Sequence, residues 1–419
     1  MQPEIVSRRR KRYLAQVEKS VTVLFAGSAP HRTGDQKYPF EINRNFFYLT
    51  NLDQENMVLV MIKGKAAIRE MLFIEEPDPV MALWVGDVMS KEEASQKSGI
   101  AVEDILYLKD LNKILSSYLQ VSRNALYGEI TNCYLDLERR QMDDVPLDGN
   151  RFAYKIRDNY PHVNIHTCYN ILANMRLYKD KSEVEEISKA IAITNKAILK
   201  MMDESHADIY EYELESHFDQ VLKANNTTVS FKSIAAGGKN ATILHYEDNN
   251  CLIKDNELAL FDVGCLSNHY ASDITRTFPV NGKFTPRQKE IYEIVLEANK
   301  KSIEFLKPGV TWQEFHEYGK KILTDGLLRI GKIKDPKEIG KYYYHSLGHS
   351  LGLDVHDVGH LEEPIREGIV VTVEPGLYLA DEKIGIRIEV DILITEDGRI
   401  NLSKGIIKEV SDIEKYMSK

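Results

Sequence analysis

The sequence predicts two domains: an α/β domain over residues 1–170 and an α+β domain over 180–419 built from two similar halves. Three observations carry this. The chain has 419 residues, more than one core usually serves. Short apolar runs of strand length dominate its first part. After residue 180 the order helix, helix, strands occurs twice. A hydrophobic fraction of 43% with 28% charged residues is ordinary for a globular chain, which excludes a disordered or collagen-like one.

The elements follow in order. Arg8-Arg9-Arg10-Lys11-Arg12 reads as the solvated face of a helix ahead of a first strand at 21–26. Further strands are expected at Phe46–Thr50, Val58–Ile62 and Met71–Ile74. Apolar residues at helical spacing predict a helix over Asp104–Leu119, and a short one over Arg151–Arg157 precedes Pro161. Ser182-Glu-Val-Glu185 has the form of a capping box that opens a long helix, and a second helix spans Tyr210–Lys223. Strand runs cover Val229–Ala235, Glu257–Gly264 and Tyr270–Val280. The order then recurs. Thr285-Pro286 starts a helix, Thr311-Trp-Gln-Glu314 caps another, and strands lie at Ile369–Glu374 and Ile384–Thr395.

The formal charge of −10 makes nucleic acid or an anionic membrane a poor partner. No apolar run approaches the ~20 residues of a membrane helix, and the basic cluster lacks the apolar stretch of a signal peptide. Four scattered cysteines form no CxxC pair, so neither a thiolate metal site nor a disulfide framework is expected. These features point to a cytoplasmic protein.

The chemistry lies in two carboxylate pairs. Asp262 interrupts the apolar run Leu258-Ala-Leu-Phe-Asp-Val-Gly264, where an unpaired charge is costly to bury. Asp273 follows in Tyr270-Ala-Ser-Asp-Ile-Thr-Arg-Thr277. A hairpin centred between Ser267 and Asn268 sets the two aspartates directly opposite one another. Glu374 and Glu389 are opposed in the same way if a second hairpin turns at Asp381-Glu382. Like charges ~4 Å apart repel by ~4 kcal/mol at an effective dielectric near 20. Two such pairs on core strands call for counter-charge, and two divalent cations supply it.

Histidines cluster nearby. His345 and His349 stand four apart, but Ser346 replaces the glutamate of an HExxH zinc helix, and Gly348 and Gly352 weaken a helix there. His356 and His360 follow, and His245 lies beside another glycine-rich stretch. Oxygen donors with one imidazole favour Mn²⁺, Fe²⁺ or Co²⁺. Such ions activate water and polarise carbonyls, which suits hydrolysis of an amide or a phosphate ester. With no P-loop and no basic cluster in these segments, the amide is the better choice.

Asp262, Asp273, His349, Glu374 and Glu389 occur within Phe-Asp-Val-Gly, Ser-Asp-Ile-Thr-Arg-Thr, His-Ser-Leu-Gly-His, Val-Glu-Pro-Gly and Arg-Ile-Glu. In this order and context the chain resembles the pita-bread metallopeptidase family, in its Xaa-Pro aminopeptidase and prolidase branch. Gly238–Tyr246, Gly352–Asp357 and Tyr38-Pro-Phe with Asn45–Thr50 extend the resemblance, the last to a creatinase-like N-terminal domain. The resemblance implies a pita-bread catalytic domain with an internal pseudo-twofold and a dinuclear centre, usually Mn²⁺. Asp262 would bind one metal, His349 and Glu374 the other, with Asp273 and Glu389 bridging. Glu374 would also be the general base for a bridging water. His245 and His356 would contact substrate and tetrahedral intermediate, His345 would lie near the ligands, and Arg387 would anchor a carboxylate. The implied substrate is a peptide with Pro at its second position, and the implied assembly a homodimer or homotetramer.

The chain departs from the pattern at Glu41-Ile42, at Asn51 where Gly is common, and at Val390-Asp391 in place of a run of acids. Asp35 and Trp84 stand where relatives bring N-terminal-domain residues near the site. Prolidase, restricted to dipeptides, is the alternative activity. Creatinase, which works without metal, and methionine aminopeptidase, which lacks the extra domain, fit less well. An inert binding protein of this fold is the reading from a different class.

Overall fold

The computed structural model describes residues 2–65, 67–121, 127–359 and 362–418. The chain divides into two compact units, Met1–Arg176 and Leu177–Lys419. His360 lies outside the described residues. Among the described residues no helix is long and apolar enough to cross a membrane.

The first unit is built on a mixed six-stranded sheet. Its order across the sheet is Ile105–Tyr107, Ile68–Ile74, Val58–Lys63, Ser20–Phe25, Asn132–Leu135 and Asn164–Thr167. Val21, Val23, Val60, Ile62, Met71 and Phe73 form its core with Leu115, Tyr118, Phe152 and Ile156 from the helices Leu111–Leu119 and Asp148–Asn159.

Three expectations for this unit are corrected. Phe46–Thr50 is not a strand but lies in the helix Arg44–Thr50. The Asn43 side chain accepts from the Phe46 N–H at its start, and Asn51 closes it in the left-handed region at φ 56°. That closing position explains Asn51, because Gly and then Asn tolerate it best. The expected helix over Asp104–Leu119 begins only at Leu111, because Ile105–Tyr107 pairs in parallel with Leu72–Ile74. The basic cluster does lie in a helix, Pro3–Leu14, but Arg9 and Arg10 are buried rather than solvated. Arg9 stacks 4.1 Å from the Tyr48 ring centroid. Arg10 donates to the Leu49 and Ser98 carbonyls and to Glu70.

In the second unit the pair of helices Lys181–Glu204 and Glu211–Ala224 is followed by a sheet of Ile234–Gly237, Leu258–Val263 and Ile274–Pro279. The pair Pro286–Phe305 and Trp312–Arg329 is followed by Val370–Val373, Val390–Thr395 and Gly398–Asn401, plus the ribbon Gly376–Leu379 with Ile384–Arg387. The first long helix is capped by Asp180 with Glu183 at its third position, two residues ahead of the expected Ser182 box. The apolar run Val229–Ala235 divides because its ends pair with different stretches, Thr228–Val229 with Cys265–Leu266 and Ile234–Gly237 with Ala259–Asp262.

Hydrogen bonds to the backbone join the two halves at the edge that matters. The Glu389 N–H donates to the Thr275 carbonyl, the Arg387 N–H to the Thr277 hydroxyl, and that hydroxyl to the Arg387 carbonyl. The strand Ile274–Pro279 after Asp273 therefore runs beside the strand Ile384–Arg387 that leads to Glu389.

Candidate metal centre

The first hairpin turns one residue later than the sequence suggests. Ser267 pairs with Tyr270 around Asn268 and His269, whose φ angles of 47° and 66° are the pattern of a type I′ turn. Asp262 consequently faces Thr275, not Asp273. A two-residue slip keeps the side-chain face, and Asp273 remains within reach of the Asp262 charge. Gly264 is obligatory here, since a Cβ would lie 2.0 Å from the Ser272 carbonyl oxygen.

The second hairpin has the expected register. Gly376 pairs with Arg387 on one side of an interruption and Val373 with Val390 on the other, which leaves Glu374 opposite Glu389. Buried Asn299 holds the interruption. Its amide donates at 3.0 Å to the carbonyls of Val373 and Ile388, the residues that precede the two glutamates.

The His349 segment is laid along the same strand. Glu374 N–H donates to Leu347 O, Thr372 N–H to His349 O and Leu351 N–H to Val370 O. Gly348 permits this, because a Cβ would meet the Thr372 carbonyl at 2.0 Å. His349 Nδ1 lies 3.1 Å from the Ser350 carbonyl, which can only accept, so Nδ1 carries the proton. Its Nε2 faces Asp273 Oδ2 at 3.4 Å and Glu374 Oε1 at 3.6 Å. An imidazole nitrogen and two carboxylate oxygens converging in this way form a donor set that suits a cation. Asp273, His349 and Glu389 each bring one donor atom within 4.8 Å of the others.

Arg387 is buried and fully engaged. It donates to Asp262 Oδ2 at 2.6 Å, to the Tyr378 hydroxyl at 2.9 Å and to the Thr275 hydroxyl at 3.1 Å. The carboxylate it holds is therefore that of Asp262. The Thr275 hydroxyl in turn donates to Glu389 Oε2 at 2.7 Å. Tyr378 lies 2.9 Å from His345 Nε2, and His345 Nδ1 lies 2.7 Å from the Ser346 carbonyl. Nδ1 is thus the protonated nitrogen of His345, and Nε2 accepts from Tyr378. Burial, then Arg387, pushes this histidine down to about 4, so it is neutral near pH 7 although it stands 3.7 Å from Glu374.

His245 and His356 are exposed. The His356 ring lies against His349 with centroids 4.0 Å apart. Its segment is anchored by the buried pair Lys179–Asp357 at 2.9 Å. His245 follows the short helix Gly238–Thr242, close enough to His345 to disfavour its charge. Asp35, Glu41 and Trp84 are exposed residues of the first unit.

Residues 185–396 match the model of metallopeptidase family M24, and residues 6–127 match the aminopeptidase P N-terminal domain. The Xaa-Pro aminopeptidase of Haemophilus influenzae is 33% identical over 431 aligned residues, covering 98% of this chain and 96% of its own. The chain belongs to the aminopeptidase P branch of metallopeptidase family M24. A Bacillus anthracis chain solved as a candidate aminopeptidase P superposes with a TM-score of 0.96 at 43% identity, covering 100% of this chain and 99% of that one. A substrate-bound variant of Escherichia coli aminopeptidase P gives 0.90 at 31% identity, covering 100% and 98%. This M24 chain is accordingly a metal-dependent peptidase with the pita-bread fold.

The structure adds site residues that sequence reasoning missed. Asp391 is fully buried, and its Oδ2 accepts from the Asp273 N–H at 3.3 Å. A signal for it existed, since Asp391 is two residues beyond Glu389 and so shares its strand face. Thr275 stands in the same relation to Asp273. Tyr378 and Asn299 carried no comparable sign.

The donor set of this M24 site suits a divalent cation. Asp262 Oδ1 and Asp391 Oδ1 are buried without a hydrogen-bond partner. Burial, reinforced by Asp262 and Asp391, holds Asp273 well above the usual carboxylate range, and burial with Asp273 does the same to Glu389. Burial raises Glu374 to about 7, against the opposing pull of His349, and Asp391 to about 8.

These shifts predict a pH dependence for the chelated protein. The folded state keeps protons on Glu374 and Asp391 that an unfolded chain releases near pH 4. Their contribution to stability is complete below about pH 4 and is lost as pH rises through 7 and 8. Urea midpoints in excess chelator should therefore fall between pH 5 and pH 8.5, and added Mn²⁺ should reverse the fall. A midpoint that holds steady or climbs with pH under chelation would contradict the crowding of these acids.

Proposed function

We propose that this chain hydrolyses the bond between the first residue and proline in peptides, using two divalent cations, Mn²⁺ first among candidates. Asp262, Asp273, His349, Glu374 and Glu389 would hold them, with Asp273 and Glu389 shared. The observation that carries the reading is the convergence of His349 Nε2 with oxygens of Asp273 and Glu374, beside a buried Asp262 oxygen that has no partner. When bound, such a pair acidifies water and polarises the scissile carbonyl.

The chain's own groups supply the rest. Glu374 takes the proton of the attacking water on a carboxylate oxygen and returns it to the proline nitrogen as the leaving amine departs. His245 and His356, both exposed, donate to charge that develops on the substrate oxygens. Arg387 holds the Asp262 carboxylate in place, and Tyr378 keeps His345 in one tautomer. An Xaa-Pro bond lacks the N–H on which ordinary peptide recognition depends, so the pocket must read the ring itself.

Substrate length tests the reading. After chelation and Mn²⁺ addition, Xaa-Pro-Yaa tripeptides should be cleaved and should outpace Xaa-Pro dipeptides. Cleavage of dipeptides alone would make the chain a prolidase. No cleavage of either, with metal bound, would leave the inert binding protein.

A further inference from the structure

We infer that Glu211 is a positioning residue for His245, which it orients through Tyr246 and the backbone of residues 237–251. The inference rests on the proposed reading, in which His245 meets the substrate.

Glu211 opens the helix Glu211–Ala224, and its side chain has no exposed surface. Its carboxylate accepts four hydrogen bonds, all from the segment that carries His245. Oε1 takes the Gly237 N–H at 2.7 Å and the Asn240 amide at 2.9 Å. Oε2 takes the Tyr246 hydroxyl and the Cys251 N–H, each at 2.8 Å. None of the four donors is a cation. The carboxylate sits in the first turn of its helix. Both ends of the segment are thus fixed to one carboxylate, and so is the residue next to His245.

The same segment is pressed against the catalytic strands. A Cβ on Gly385 would lie 2.0 Å from the Ala241 carbonyl, and Gly385 is two residues from Arg387. The Tyr344 hydroxyl donates to the Thr242 carbonyl, next to His345. His245 itself is exposed. Its place relative to the carboxylates is therefore set by the segment beneath it, and Glu211 is the group that closes that segment on itself.

A double-mutant cycle on the full, Mn²⁺-loaded chain tests this, with kcat and KM read on an Xaa-Pro-Yaa peptide. Glu211→Gln keeps the shape but turns one acceptor into a donor, and it should lower kcat on the order of 10- to 100-fold. The same substitution in a His245→Ala background should cost nothing further, while bound metal stays at the wild-type level in both. Equal losses in the two backgrounds would overturn the inference, because a general lesion of the fold acts regardless of His245. Tyr246→Phe removes a single hydroxyl from Oε2 and provides the same cycle if Glu211→Gln does not fold. Full activity in His245→Ala would overturn the role of His245 and this inference with it. A wild-type chain that cleaves no Xaa-Pro peptide would instead fail the proposed function itself.

Discussion

Glu374→Ala should abolish measurable turnover and leave a folded protein. The residue ends the strand Val370–Val373, and its backbone is held by the Leu347 carbonyl and, one residue back, by Asn299. Loss of the side chain leaves that scaffold intact, because none of the anchoring bonds involves the Glu374 side chain. It removes both a proposed ligand and the proposed base. A positioned base alone is worth roughly 10²–10⁴-fold in rate. Glu374→Gln separates the two roles, since an amide oxygen can still face a cation but cannot take a proton. Both variants should be compared with wild type by steady-state hydrolysis of an Xaa-Pro-Yaa peptide, with metal content and far-ultraviolet circular dichroism on the same samples. Near-normal rates in either variant, with metal verified, would remove Glu374 from the base role.

Metal removal should have an effect of similar size on activity and a second one on stability. Asp262, Asp273, Glu374, Glu389 and Asp391 crowd one region, with Arg387 already committed to Asp262. A cation that binds only the folded state stabilises it by about 2.7 kcal/mol at a hundredfold excess over its Kd. Exhaustive chelation should therefore stop hydrolysis and lower the thermal midpoint, and Mn²⁺ should restore both. A chelated chain that remains as active and as heat-stable as before would refute the metal centre.

Much of the candidate site is legible in the order of residues. Asp262 is conspicuous because an acid inside an apolar strand conflicts with its surroundings, and Glu374 and Glu389 are spaced symmetrically about a turn. The second hairpin follows that symmetry. The first does not, because Asn268 and His269 both adopt left-handed φ, and turn composition does not reveal which pair of residues will do so. Phe46–Thr50 shows a different limit. All its residues are buried in a short helix, so no polar face remains to betray the helical period. Arg9 and Arg10 look solvated on composition, yet partners far along the chain meet them in the interior, Tyr48 for Arg9 and Leu49, Glu70 and Ser98 for Arg10.

The sequence by itself determined which residues are candidates for the chemistry, where most strands and caps fall, and that closely spaced acids would need neutralising. Those are local matters of period, propensity and charge. Only the tertiary structure decided that the Asp273 strand and the Glu389 strand lie edge to edge, that Asp391 joins them, and that Glu211 closes the segment under His245. Each depends on contacts between residues distant along the chain. Such contacts arise from how whole elements pack, and no window of neighbouring residues contains that information.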